Sequence, residues 1–315
     1  MKKILIIKLG ALGDVVYAEG AINDIKKHHP NDEITLLTAP FYARLLQQHP
    51  CIDHVVIDER KSRWNLSYLF RLFTLLRRNR YDRVYDLQNS SRTNLYHKLL
   101  FPISWCGRAT FATHRYVPDF SVPKPGQTGF VEQLALVGIQ AQHCQSPSWL
   151  WLQVPVCDTL RACQVTEPFI LLLPGASAKH SQKRWPYYPE LAKRLQELGY
   201  RVAWAPGPDE LSMIDQFPAT CLLDAGKPLS IAQLAGLARH THLVIGNDSG
   251  PTHLLACCQT KGIAIFNCQR YIKSTAIDQK YTALHAEDLS QLSLDQVLQS
   301  ALELLPCPQA TLPQT

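Results

Sequence analysis

Short apolar, β-rich runs alternate with helical patterns along the first hundred residues. After a break, the alternation begins again. Ile4–Lys8, Glu33–Thr38, His54–Ile57 and Arg83–Leu87 read as strands. The stretches after them, Asp14–His28, Phe41–Gln48, Leu66–Arg78 and Arg92–Leu100, read as helices. Repeated βαβ units call for a parallel sheet covered by helices on both faces. From Phe169 the pattern resumes, with strands at Phe169–Leu173, Arg201–Ala205, His242–Ile245 and Ile263–Phe266. Helices are expected at Tyr188–Leu198, Glu210–Gln216, Ile231–Ala238, Pro251–Cys258 and Leu292–Leu305. The middle, Thr110 to about Glu167, is less regular, with one helical stretch near Val131–Leu136 and a connection near Cys157–Pro168. The expectation is an α/β chain of two successive domains, 1–160 and 161–305, with a frayed tail over 306–315.

A length of 315 residues suits two domains, and a 46% hydrophobic content can fill two cores. No apolar run reaches 18 residues, so no spanning helix is expected. Met1-Lys2-Lys3-Ile4-Leu5-Ile6-Ile7 resembles the start of a signal peptide, but Lys8, Gly10, Gly13 and Asp14 interrupt it. It reads as a buried strand of a cytoplasmic protein. The ten cysteines form no Cys-x-x-Cys pair and suit reduced, mostly buried thiols. The net charge of +6 is unevenly spread. Residues 60–98 hold ten basic side chains and two acids, which leaves the rest of the chain at −2. Such a stripe fits a solvated helix face, or an anionic partner such as a phosphorylated glycolipid, a membrane surface or a nucleic acid.

Three strand-to-helix loops carry candidate chemistry. In Lys8-Leu9-Gly10-Ala11-Leu12-Gly13-Asp14 the glycines permit close approach to the backbone, and Asp14 falls at a helix N-terminus, either as a cap or facing a ligand. The spacing does not fit a dinucleotide fingerprint. In Leu173–Pro186 a small-residue loop holds Ser177, Lys179, His180, Lys183 and Arg184, a plausible diphosphate cradle that is not a Walker loop. In Val244–Ala256, Ser249 or Gly250 caps a helix whose first turn holds Pro251. Asp248 is placed to accept a hydrogen bond there. His253 is either a phosphate contact or a packed core histidine.

Taken together, these segments resemble the lipopolysaccharide heptosyltransferase family, glycosyltransferase family nine. The resemblance rests on Gly13-Asp14 after the first strand, Pro174-Gly175-Ala176, Lys183-Arg184-Trp185-Pro186, Leu229-Ser230-Ile231, and Asp248-Ser249-Gly250 with His253, in that order. It covers roughly residues 1–300. It implies a GT-B fold: two Rossmann-like domains facing across a cleft, the N-terminal one taking the acceptor and the C-terminal one the nucleotide sugar. It also implies an inverting, metal-independent transfer of heptose from ADP-heptose to the lipid A-Kdo inner core of lipopolysaccharide. The place of action would be the cytoplasmic face of the inner membrane, with peripheral contact and no cofactor. By the same resemblance Asp14 would be the general base and Lys183 would stabilise the departing ADP. Ser177, Ser249 and Gly250 would hold the phosphates, Asp248 would lie near the donor sugar and Leu229 near the adenine, with His253 in the same donor-binding set. Lys8 would join the donor-binding set or orient Asp14. Arg92 would contact the anionic acceptor. The chain departs from the family pattern at Leu9-Gly10-Ala11, where hydroxyl side chains are usual, and at Gly20, where proline is usual.

Other readings keep the fold but change the sugar or the acceptor, or make the chain a non-catalytic nucleotide-sugar binder. The joint presence of Asp14, Lys183, Asp248 and His253 speaks against the latter. A nucleic-acid role for residues 60–98 is not supported by any recognised motif.

Overall fold

The computed structural model describes residues 1–119, 121, 126–269, 272 and 280–306. The tail expected over 306–315 lies outside them beyond Pro306, as does the side chain of Lys179. The chain divides into two compact units, Met1–Trp151 and from Leu152 onward. This division precedes the expected 160/161 boundary for a packing reason. A Cβ on Gly236 would stand 2.5 Å from the Val154 carbonyl oxygen, so residues 154–156 already pack on the second unit.

The first unit runs β1 (Lys3–Ile7), α1 (Leu12–His28), β2 (Glu33–Thr38), α2 (Pro40–Leu46), β3 (His54–Ile57), α3 (Leu66–Arg78), β4 (Arg83–Asp86), α4 (Ser91–Leu100), β5 (Ser104–Gly107), β6 (His114–Arg115) and α5 (Gly126–Ala135). Its six strands are ordered β3-β2-β1-β4-β5-β6, and every pairing is parallel. Ile4, Leu5, Ile6 and Ile7 are fully buried, as a strand covered on both faces must be. Helix α3 buries Tyr68, Leu69, Leu72, Phe73 and Leu76, a stripe at helical spacing, and its N-cap Asn65 accepts the Tyr68 amide.

The second unit runs α6 (Cys157–Ala162), β7 (Phe169–Leu173), a 3₁₀ turn (Ala178–Lys183), α7 (Tyr188–Glu197), β8 (Val202–Trp204), a 3₁₀ segment (Pro208–Gln216) and β9 (Thr220–Cys221). A small hairpin follows, β10 (Leu223–Asp224) and β11 (Lys227–Pro228). Then come α8 (Ile231–Gly236), β12 (Thr241–Asn247), α9 (Gly250–Cys257), β13 (Gly262–Phe266), β14 (Tyr281–His285) and α10 (Leu294–Leu304). Its parallel sheet is ordered β14-β13-β12-β7-β8-β9. In order of appearance within each unit, both sheets read 3-2-1-4-5-6, the doubly wound order. The order in which the chain winds across the sheet reverses between β1 and β4 in one unit and between β7 and β12 in the other. Open α/β sheets bind ligands beyond the carboxyl ends of the strands at such switch points.

Candidate active site

In the first unit, the loop after β1 and the loop after β4 meet through Lys8. Its side chain is almost fully buried, and its ammonium donates to the Leu87 carbonyl at 3.1 Å. The same ammonium lies 5.5 Å from the centroid of the Phe130 ring. Burial pushes the Lys8 pKa down, while the charges of Asp14 and Asp86 pull it upward. Asp86, at the end of β4, is fully buried. Burial raises its pKa to about 6, against the opposing pull of the Asn89 and Gln88 amides, the Thr93 hydroxyl and Lys8. Gly10 has φ +131°, and a Cβ there would stand 3.1 Å from the Tyr42 ring, so this turn requires glycine. Ala11 is the N-cap of α1. Asp14, three residues on, accepts the Ala11 amide at 3.1 Å and remains exposed. Asp14 therefore steadies the helix start and presents its carboxylate to solvent beside the switch point.

Arg92 stands at the start of α4, where its guanidinium is engaged by the protein. It donates from Nε and Nη2 to both oxygens of Asp58, each at 3.1 Å, and from Nη1 to the Lys61 carbonyl at 3.0 Å. Tyr68 and Tyr96 also donate to this fully buried carboxylate, as does the Arg60 amide. Burial alone would raise the Asp58 pKa. The hydrogen bonds from Arg92, Tyr68, Tyr96 and Arg60 outweigh it and hold the group below the usual carboxylate range. Arg92, the residue expected to contact an anionic acceptor, thus turns most of its donors onto this knot.

In the second unit, the loops after β7 and β12 are stapled by Asn247. It is fully buried, donates to the Pro174 carbonyl at 2.7 Å, and accepts from the Trp185 amide at 3.1 Å and the Tyr188 hydroxyl at 3.2 Å. The staple brings Lys183, at the end of the 3₁₀ turn, to Asp248. The ammonium donates to one carboxylate oxygen at 2.5 Å, and His253 Nε2 lies 2.9 Å from the other. Burial would raise the Asp248 pKa, but the hydrogen bonds and charges of His253 and Lys183 prevail and hold it low. Ser249 is the N-cap of α9, with its hydroxyl 3.2 Å from that of Thr252, and Pro251 lies in the first turn. The N-terminal turn of α9, including Gly250, thus stands beside a lysine and a histidine, and such a terminus favours anions. A Cβ on Gly246 would meet the Thr252 hydroxyl at 2.3 Å, which fixes how closely α9 sits on β12.

Ser177 is exposed at the start of the 3₁₀ turn, and its carbonyl accepts the His180 amide at 2.7 Å. Leu229 is buried one residue before Ser230, the N-cap of α8. Arg184 pairs with the buried Glu210 at 2.6 Å and donates to the Ala176 carbonyl. Cβ atoms on Gly175 or Gly207 would come within 2.8 Å and 2.7 Å of that carboxylate, so both glycines make room for it. Asn247, Glu210, Asp58 and Asp86 were not singled out from sequence. For Asn247 and Asp86 a signal existed, since each is a polar residue ending an apolar strand at a switch point.

The family description glycosyltransferase family 9 (heptosyltransferase) matches residues 69–301. The chain belongs to this family. It is a glycosyltransferase, and its two doubly wound units are those of the GT-B class. Ser177, Lys183, Leu229, Asp248, Ser249, Gly250, His253 and Arg92 lie inside the matched range, while Lys8 and Asp14 precede it. Lipopolysaccharide heptosyltransferase 1 of Campylobacter coli is 25% identical over 296 residues, covering 84% of this chain and 83% of its own. Lipopolysaccharide heptosyltransferase 3 of Escherichia coli is 24% identical over 290 residues, 82% of each chain. Among solved structures, the Escherichia coli ADP-heptose lipopolysaccharide heptosyltransferase II superposes with a TM-score of 0.76 at 22% identity, over 96% of this chain and 98% of that one. A family 9 glycosyltransferase from Veillonella parvula gives 0.80 at 20% identity, over 96% and 97%. Among the described residues of this family 9 chain, no helix is long and apolar enough to cross a membrane.

Proposed function

We propose that this chain transfers heptose from ADP-heptose to the inner core of lipopolysaccharide, with inversion and without a metal, at the cytoplasmic face of the inner membrane. The observation that carries the reading is the Lys183–Asp248–His253 cluster beside the N-terminus of α9, at the switch point of the second unit. The ADP-heptose and lipopolysaccharide named for the relatives supply the substrate class.

In this mechanism the acceptor hydroxyl attacks the anomeric carbon, and the bond from that carbon to the diphosphate oxygen breaks. The hydroxyl proton passes to Asp14. A carboxylate is a weak base toward an alcohol and takes the proton late, as the hydroxyl oxygen becomes positive. The negative charge released onto ADP is met by Lys183 and by the first-turn amides of α9, in the place a divalent metal fills elsewhere. Ser177, Ser249, Gly250 and His253 contact the phosphates, Asp248 orients Lys183 beside the donor sugar, and Leu229 offers an apolar wall to the base. Buried Lys8, held by the Leu87 carbonyl, orients Asp14 through its charge. Arg92 shapes the acceptor side by holding the 58–61 loop.

The test is acceptor-dependent ADP release by the purified protein with ADP-heptose and a deep-core lipopolysaccharide acceptor, beside Asp14→Ala. Release that vanishes in the variant supports donor, acceptor and base together. A folded protein that binds ADP-heptose but releases nothing with that acceptor, while turning over another donor or acceptor, overturns the substrate assignment. Undiminished release by Asp14→Ala removes Asp14 from the mechanism.

A further inference from the structure

Helix α3 buries one stripe and leaves the opposite face uncovered, and that face is not the polar surface such a helix normally presents. Leu66 and Phe70, four residues apart and therefore in one row, are each 74% exposed. Trp64, just before the helix, is 88% exposed. All six tryptophans lie among the described residues, and Trp64 alone of them is exposed. Beside the apolar row runs a basic one: Arg71 and Arg78, seven residues apart, are exposed and pair with none of the described residues. Arg63 is exposed next to Trp64. This row belongs to the segment 60–98, where ten basic side chains meet two acids.

The presentation is held in place. The Asp58 knot ties the Arg60 amide, the Lys61 carbonyl through Arg92, and Tyr68 of α3 to the end of β3. The loop that carries Trp64 is thus anchored on both sides, so its exposed ring sits on a fixed platform. We propose that Trp64, Leu66 and Phe70, with Arg63, Arg71 and Arg78, form the surface by which this chain docks onto an anionic lipid bilayer. Apolar side chains entering the headgroup boundary, with arginines alongside at phosphate level, are the arrangement of an interfacial helix. Charge complementarity selects lipid bearing net negative charge. The proposal deepens the preceding reading by naming where a membrane-borne acceptor's surface is met, and it rests on that reading only for its biological purpose.

The experiment uses the full chain with no donor or acceptor present, so its outcome is independent of turnover. Co-sedimentation at physiological salt is measured with vesicles of phosphatidylethanolamine and phosphatidylglycerol, and with vesicles of phosphatidylcholine alone. Binding to the anionic vesicles only, with a blue shift of tryptophan emission that Trp64→Phe abolishes, is expected. The double variant Arg71→Gln/Arg78→Gln should bind about 25-fold more weakly, at about fivefold per charge. Trp64→Ser/Phe70→Ser should lose binding while keeping its circular dichroism and its turnover of a soluble acceptor. Equal binding to both vesicle types, unchanged binding by these folded variants, or duplex DNA that displaces the vesicles would each overturn the proposal. Retained turnover on a soluble acceptor together with absent vesicle binding would sink this surface and leave the proposed reaction standing.

Discussion

Replacing Lys183 with methionine keeps the length of the side chain and removes its charge. Two consequences should follow, and they are separable. The ammonium donates to Asp248 at 2.5 Å, and only 19% of the Lys183 side chain is exposed. Deleting a charged hydrogen-bond donor to a buried carboxylate costs stability of about 1.5–3 kcal/mol. His253 still holds the other oxygen, which keeps the loss within that range. The second consequence is kinetic. A preorganised donor aimed at developing charge is worth about 3–4 kcal/mol, so kcat should fall about 10²–10³-fold, with donor KM little changed. Initial rates of ADP release at saturating donor, with urea unfolding of the same preparations, measure both. The decisive comparison is Lys183→Met/Asp248→Asn against Asp248→Asn alone. Neutralising Asp248 removes the part of the stability cost that comes from this ion pair, so losing the lysine should cost less stability in that background than in the parent. The turnover of the two variants should still differ by at least tenfold if Lys183 meets the leaving group. Equal turnover of the two would show that Lys183 only neutralises Asp248, and the leaving-group role would be wrong.

Three further outcomes follow from buried groups in the first unit. Asp58→Ala strands the Arg92 guanidinium and two tyrosine hydroxyls, and urea titration should show a loss of about 3–5 kcal/mol. Asp86, raised on folding from 3.8 to about 6, keeps its proton in the folded state where the unfolded chain has released it. Stability should therefore fall as pH rises through 4 to 6, by about 3 kcal/mol at about 1.36 kcal/mol per unit, and Asp86→Asn should flatten that part of the profile. Gly20→Ala would place a Cβ 2.2 Å from the His143 carbonyl oxygen, so a loss of about 1–3 kcal/mol is expected by thermal or urea unfolding.

The legible part of the fold was its alternation. β1, β2, β3 and β7 are apolar runs bounded by turns or helix signals, and their pattern is local. β5 is Ser-Trp-Cys-Gly and β6 only His-Arg, with no β-branched residue between them, so their strand character comes from pairing with β4 and with each other. β14 was likewise missed, because its place is set by a parallel register on β13. Helix α6 lay inside the stretch read as a connection. A helix of six residues with one buried leucine is made by what it packs against, since its own periodicity is too short to register. The departure at Gly20 has a tertiary cause as well. Glu19 and Asp24 on α1 accept the amides of Ser148, His143 and Cys144, which draws that segment so close that residue 20 has no room for a Cβ.

The same division runs through the site. Lys183, Asp248 and His253 stood out because each follows a strand end marked by glycine or proline, and those marks are local consequences of bringing backbone close to a ligand or a neighbouring helix. The groups that hold them were not visible because their partners are remote in sequence. Asn247 is 62 residues from the Trp185 amide it accepts and 73 from the Pro174 carbonyl it meets. Arg92 shows the limit most clearly. In the sequence it is one cation in a basic stripe, after a strand, and reads as a contact for an anionic acceptor. Asp58, 34 residues earlier, lies at zero exposure, and only the fold reveals that a buried carboxylate there requires a guanidinium beside it. Once Arg92 is spent on that carboxylate, the positive field of the stripe must come from arginines without such partners, and on α3 those stand beside Leu66 and Phe70.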